Sequence, residues 1–187
     1  MSAVFTDPMW ITGVGIVSAL GNDFESFSAG LRRGEDAARR ISAFDVSAVT
    51  GRLGCEALDF DPTVHFPRRK LRRMDRGSCL LLAAVREAMT QAGSRGSYDP
   101  ERCAVSLGST LGGMISATEY YDRLCKTGKG YATRLMDYPL YGAGARVCAE
   151  YGFLGPNLAF STACSSANVA MGAFPKYDMT AFPVFQP

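Results

Sequence analysis

The segment Phe160-Ser161-Thr162-Ala163-Cys164-Ser165-Ser166 places a thiol where an apolar run, Leu158 to Phe160, gives way to a stretch of small residues, Ser165 to Gly172. The pattern predicts a strand that ends at a cysteine and a helix that starts there. The free amides of a first helical turn, with the positive end of the helix dipole, favour the thiolate, the form of cysteine that attacks carbonyl carbon. Ala163, Ser165 and Ser166 are small enough to let a substrate approach the sulfur. On these residues alone Cys164 is either such a nucleophile or a buried structural cysteine, the commoner fate of an isolated thiol.

A second cluster is basic. Arg68, Arg69, Lys70, Arg72, Arg73 and Arg76 fall within nine residues, with Asp75 as the one opposing charge. Charge alone leaves two readings open, a solvated helix start and a docking surface for an acidic partner. Cations at a helix N-terminus oppose the dipole, which favours the external partner. No interleaved aromatics or nucleic-acid-binding motif accompany the cluster, so nucleic acid is not expected. Gly13-Val14-Gly15 would need a third glycine at Ser18 to bind a dinucleotide, so these glycines are expected to allow close packing instead. Gly108-Ser109-Thr110-Leu111-Gly112 is likewise not the serine nucleophile elbow.

The elements that must position these residues alternate along the chain. Met9 to Val17 reads as a strand. Asn22 reads as a helix cap, with Phe24, Phe27 and Leu31 on one face and Gly34 as the stop. Arg52 to Ala57 suggests a short strand. Leu71, Met74, Ser78, Leu81, Val85, Met89 and Ala92 recur at helical spacing. Cys103 to Leu107 reads as a buried strand, residues around Ile115 to Cys125 and Leu140 to Tyr151 as helices, and Leu158 to Thr162 as the last strand. The order predicts an α/β layered domain. The chain has 187 residues, 47% of them hydrophobic, enough for one sizeable core, and a net charge of +2 gives no global pull to polyanions. No secretory signal is expected, because the first residues lack a basic segment followed by an apolar core, and the longest purely apolar run, Cys79 to Val85, is too short to span a bilayer. Six cysteines without a CxxC pair and one histidine, His65, argue against a zinc site and for free thiols in the cytoplasm.

Phe160 to Asn168, preceded by Gly155-Pro156-Asn157, resembles the active-site segment of the β-ketoacyl-acyl-carrier-protein synthases, condensing enzymes of the thiolase superfamily. Three further stretches resemble that family in the same order: Ile11 to Gly21 its first strand and loop, Lys70 to Arg76 the approach to its first long helix, and Ser106 to Gly113 its second core strand and glycine turn. The resemblance implies the N-terminal half of a thiolase-like αβαβα fold over residues 1–172, with the rest of a chain about twice as long absent. It implies decarboxylative Claisen condensation of acyl and malonyl thioesters in fatty acid or polyketide synthesis, with Cys164 accepting the acyl group and its N–H as one oxyanion donor. It also implies Leu111, Pro139 and Leu140 at the acyl pocket, Arg69, Arg72 and Arg73 at the carrier-protein docking surface, and no cofactor. The partner is acyl carrier protein, and residues 157–162 would pair across the twofold axis of a homodimer.

The family's two decarboxylating histidines, supporting lysine and second oxyanion donor belong to the second half, and His65 matches none of them. The chain alone is therefore expected to be inactive. A non-catalytic carrier-protein or subunit-binding module is the alternative, and a cysteine hydrolase would need His65 as its base. Residues 173–187, with three prolines and no periodicity, read as a tail that matches nothing in the family, as in a truncation or frameshift.

Overall fold

The computed structural model describes residues 10–93, 98–173 and the backbone of 180–185. Helix α1, Phe24–Arg33, is capped by Asp23, whose carboxylate accepts from the Ser26 amide, one residue later than the sequence suggests. It ends at Gly34, whose φ of 66° is cheap only for glycine. Strands β1, Arg39–Arg40, and β2, Leu53–Gly54, form a small antiparallel pair. Two single helical turns follow, α2 at Pro62–His65 and α3 at Arg68–Leu71, and then the long helix α4, Arg76–Gln91. The expected continuous helix from Leu71 is thus broken at Arg72–Asp75. Asp75 takes the cap of α4 and accepts from the Gly77 amide, so residues 72–75 separate α4 from the turn of α3.

Strand β3, Cys103–Gly108, is buried at every position, as a central parallel strand covered on both faces must be. After it come α5, Met114–Thr127, then α6, Gly142–Tyr151, and β4, Asn157–Phe160. Helix α7, Ser166–Ala173, leads on to β5, Thr180–Phe185. The sheet order is β4-β3-β5, all parallel. Leu81, Val85 and Met89 recur every fourth residue on α4 and pack with Val105 and Leu107 of β3 and Val147 of α6 into one core. Helices α6 and α7 pack on β3, and α4 on α6.

Two expectations change. The segment 10–17 has no regular secondary structure and, among the described residues, joins no strand ladder. It lies on α4, where a Cβ on Gly13 or Gly15 would sit 2.1 Å from the Ala88 carbonyl oxygen or 1.8 Å from that of Ala84. Side chains of α4 take the amides a ladder would have used: Val14 N–H donates to Gln91 Oε1 at 2.6 Å, and Ile16 N–H to Glu87 Oε2 at 2.9 Å. The tail is also not wholly irregular, because Thr180–Phe185 pairs along the full length of β3. Pro183 lacks an N–H, which an edge strand tolerates, and β5 has one neighbour among the described residues. Pro175 and residues 174–179 and 186–187 lie outside the described residues, as does Met9. Among the described residues no helix is long and apolar enough to cross a membrane.

Candidate active site

β4 ends at Phe160, and the chain turns sharply through a single 3-10 turn, Ala163–Ser165, into α7. Ala163 has a φ of 49°, the single positive value at a non-glycine residue among those described. A left-handed conformation costs an L-residue roughly 1–2 kcal/mol, so neighbouring bonds must hold it. They are short hydrogen bonds from the two serines. Ser165 Oγ donates to the Thr162 carbonyl at 2.9 Å, and Ser166 Oγ donates to the Ala163 carbonyl at 2.8 Å while accepting from the Thr162 amide at 2.9 Å. The serines read as small from sequence are therefore also the stitches of the elbow, and Ser166 is buried.

The elbow is seated on the central strand. A Cβ on Gly108 would fall 2.6 Å from the backbone of Ser166 and Ala167, so glycine lets α7 lie against the end of β3. Ser106 Oγ donates to the Ala170 carbonyl at 2.8 Å, tying the next turn of α7 to the same strand. The Ser109 amide donates to the Phe160 carbonyl at 3.0 Å. Cys164, between these anchors, is exposed, which removes the structural-cysteine reading. Cys55 and Cys125 are exposed too. Burial pushes the thiols of Cys103 and Cys148 up, and that of Cys79 to about 11, with the charges of Asp137 and Asp75 adding to the effect on Cys79.

Leu111 lies on the turn leaving β3, three residues past Gly108, and is 69% exposed, so it is not a core leucine. That turn meets the loop carrying Pro139 and Leu140. Gly113, at φ 74°, leaves no room for a Cβ, which would fall 2.1 Å from the Asp137 carbonyl oxygen. The turn carrying Leu111 and the loop carrying Pro139 and Leu140 are thus neighbours, with Leu111 and Leu140 exposed, and the next residue of that loop, Tyr141, accepts through its carbonyl from Asn157 Nδ2 at 3.1 Å at the start of β4. His65 is elsewhere: its ring stacks on Phe60 at 5.1 Å and its carbonyl accepts from Arg86, and among the described residues no hydrogen bond joins it to Cys164. His65 is not placed as a base for Cys164 in this structure.

The basic cluster divides by use. Lys70 pairs with Glu150 at 2.7 Å, and Arg76 donates to the Ala57 carbonyl at 2.6 Å while lying over the Phe60 ring. Arg69, Arg72 and Arg73 are exposed, and among the described residues no carboxylate pairs with their side chains. Because α4 starts only at Arg76, Arg72 and Arg73 stand on the chain before its cap, where the dipole argument does not apply. Their availability now rests on exposure. Sequence reasoning missed the residues that hold this segment, Asp137 and Arg146. Asp137 Oδ1 accepts from Arg146 Nε at 2.7 Å, and the same guanidinium donates to the Arg73 carbonyl. Among the described residues no group of three His, Cys, Asp or Glu side chains could hold a metal.

A parallel core whose outer strand delivers an exposed cysteine through a strained elbow to a helix start fits part of the ketosynthase fold that the sequence resembles. Comparison with known proteins agrees: residues 6–176 match the family described as beta-ketoacyl synthase, N-terminal domain, and the chain belongs to it. A Streptomyces coelicolor protein named as the actinorhodin polyketide beta-ketoacyl synthase 1 is 36% identical over 172 residues, covering 87% of this chain and 37% of its own. The structure of the ishigamide ketosynthase/chain length factor superposes with a TM-score of 0.80 at 22% identity, over 91% of this chain and 45% of that one. A type II polyketide synthase acyl-carrier protein in complex with its ketosynthase bound to the hexaketide gives 0.70 at 21%, over 89% and 45%. The chain therefore spans 37–45% of the length of these proteins.

Proposed function

We propose that this chain is the acyl-accepting part of a β-ketoacyl synthase, with Cys164 as nucleophile and acyl carrier protein as the donor of its substrate. The observation that carries the reading is the exposed Cys164 held by the Ala163 elbow at the C-terminal end of β3. In the loading step the Cys164 thiolate attacks the thioester carbonyl of an acyl carrier. The new S–C bond forms, the carrier S–C bond breaks, and the carrier thiolate leaves and is protonated by solvent. The Cys164 N–H is one donor to the developing oxyanion, an interaction whose loss typically costs about 100- to 1000-fold. Leu111, Pro139 and Leu140 border the acyl chain, and Arg69, Arg72 and Arg73 meet the acidic carrier.

Condensation further needs malonyl thioester to lose carbon dioxide and its carbanion to attack the Cys164 thioester. His65, the one histidine of the chain, is engaged at Phe60 and is not placed to assist that step at Cys164. The test is incubation with an acyl carrier thioester followed by intact-mass and peptide analysis. One acyl increment on Cys164, absent in Cys164→Ala, is expected, with no β-ketoacyl product on adding malonyl carrier. Acylation at another cysteine overturns the assignment. Carrier binding without acyl transfer favours the docking-module alternative.

A further inference from the structure

The two buried carboxylates among the described residues, Asp75 and Asp137, meet at a place that the acyl-transfer reading does not use. Asp75 and Asp137 are 4% and 2% exposed. The Asp75 amide donates to Asp137 Oδ2 at 2.8 Å, and Asp75 Oδ2 accepts from the Ser116 amide at 2.9 Å while Oδ1 caps Gly77 at 2.8 Å. Arg146 from α6 completes the cluster through Asp137 Oδ1 and the Arg73 carbonyl. Four separate pieces of chain converge here: the basic segment ending at Arg73, the first turn of α5, the loop that continues to Pro139 and Leu140, and α6.

The Arg146 guanidinium pairs with Asp137, and the two carboxylates are further met by the three backbone N–H groups just named, that of Gly77 at the N-terminus of α4. The upward shift of the Cys79 thiol, caused by burial and then by Asp137 and Asp75, reports the same negative field. Buried ionic clusters add little net stability over apolar packing, yet they enforce one geometry strongly, because removing a partner strands a buried charge. The geometry enforced is the distance between the exposed arginines and the pocket loop. Arg73 is held by its carbonyl, leaving its side chain free, and Asp137 is held two residues before Pro139.

We infer that Asp137, Arg146 and Asp75 are positioning residues that lock the arginine-bearing docking segment to the loop bordering the acyl site, so that a docked carrier is set at a fixed reach from Cys164. The inference rests on the carrier-docking reading above. It assigns the cluster a role in carrier affinity although none of its members touches the carrier.

The test measures affinity of this chain for an acyl carrier protein by fluorescence anisotropy, alongside circular dichroism and amide exchange. Arg73→Glu, which leaves the held carbonyl in place, should weaken binding at least tenfold. Asp137→Asn should weaken it about fivefold to tenfold with the docking arginines intact, and should speed exchange of the Asp75 and Ser116 amides. Arg146→Lys keeps the charge but loses one of two directed donors, and should give a smaller loss. In the double variant Arg73→Glu/Asp137→Asn the second loss should largely vanish, whereas a generally destabilising change would add in full. If Arg73→Glu weakens binding but folded Asp137→Asn and Arg146→Lys stay within twofold of the parent, the positioning role is wrong and docking stands. If Arg73→Glu and Arg69→Glu both leave affinity unchanged, the docking reading itself fails. Should Asp137→Asn not fold, Arg146→Lys decides.

Discussion

Ala163 carries the backbone strain of the elbow, and its consequence is measurable. Ala163→Gly should raise stability by about 1 kcal/mol in urea unfolding, because glycine adopts φ 49° without a Cβ clash. Ala163→Val should lower it. An unchanged midpoint in both variants would mean the turn is not strained. A second residue-scale prediction concerns Cys79, whose thiol sits at about 11 against an ordinary 9.0. Between those values the unfolded chain has released the proton and the folded chain has kept it. The stabilisation is therefore complete below pH 9 and falls by about 1.4 kcal/mol per pH unit above it. Urea melts at pH 8, 9 and 10 should show a shallower decline in Cys79→Ala than in the parent, and parallel declines would contradict this. Cys164 was legible from sequence because its surroundings are contiguous. The left-handed Ala163 was not, since alanine carries no signal for that conformation, and Asp137 meets Asp75 only across 62 residues.

At the scale of elements, helices and the central strand follow their periodicity because one long-range partner, the common core, satisfies all of them. The readings that changed depended on a particular partner. Residues 10–17 have strand composition, but a strand needs a ladder, and here α4 supplies side-chain acceptors in its place. The basic segment has helical spacing, but the Asp75 cap interrupts it. Thr180–Phe185 has no strand alternation, yet the open edge of β3 recruits it. The packing of the first segment on α4 predicts that Gly15→Ala, with its Cβ 1.8 Å from the Ala84 carbonyl oxygen, destabilises by about 1–3 kcal/mol. It should also expose the Val14 and Ile16 amides to hydrogen exchange. Slow exchange at both amides in the variant would show that the close approach is unimportant.

The whole molecule shows large apolar side chains to solvent, among them Trp10 at 83%, Ile11 at 70% and Leu154 at 72%. Such surface normally marks an interface. This chain on its own should self-associate or bind a hydrophobic dye, with a broad melt. A sharp two-state transition of a monomer in sedimentation and calorimetry would contradict that.

Gln91 and Glu87 are four residues apart on α4, about 6 Å along a helix axis, and Val14 and Ile16 are two apart, about 6.7 Å along an extended chain. The two spacings agree closely enough for both bonds to form together. A slide of the segment by one residue would turn both amides away and bring the bulk of Val14 or Ile16 onto the helix carbonyls where Gly13 and Gly15 now rest. The helix surface thus works as a two-toothed gauge, accepting one alignment of the first segment and rejecting its neighbours before any adjoining strand is there to impose it.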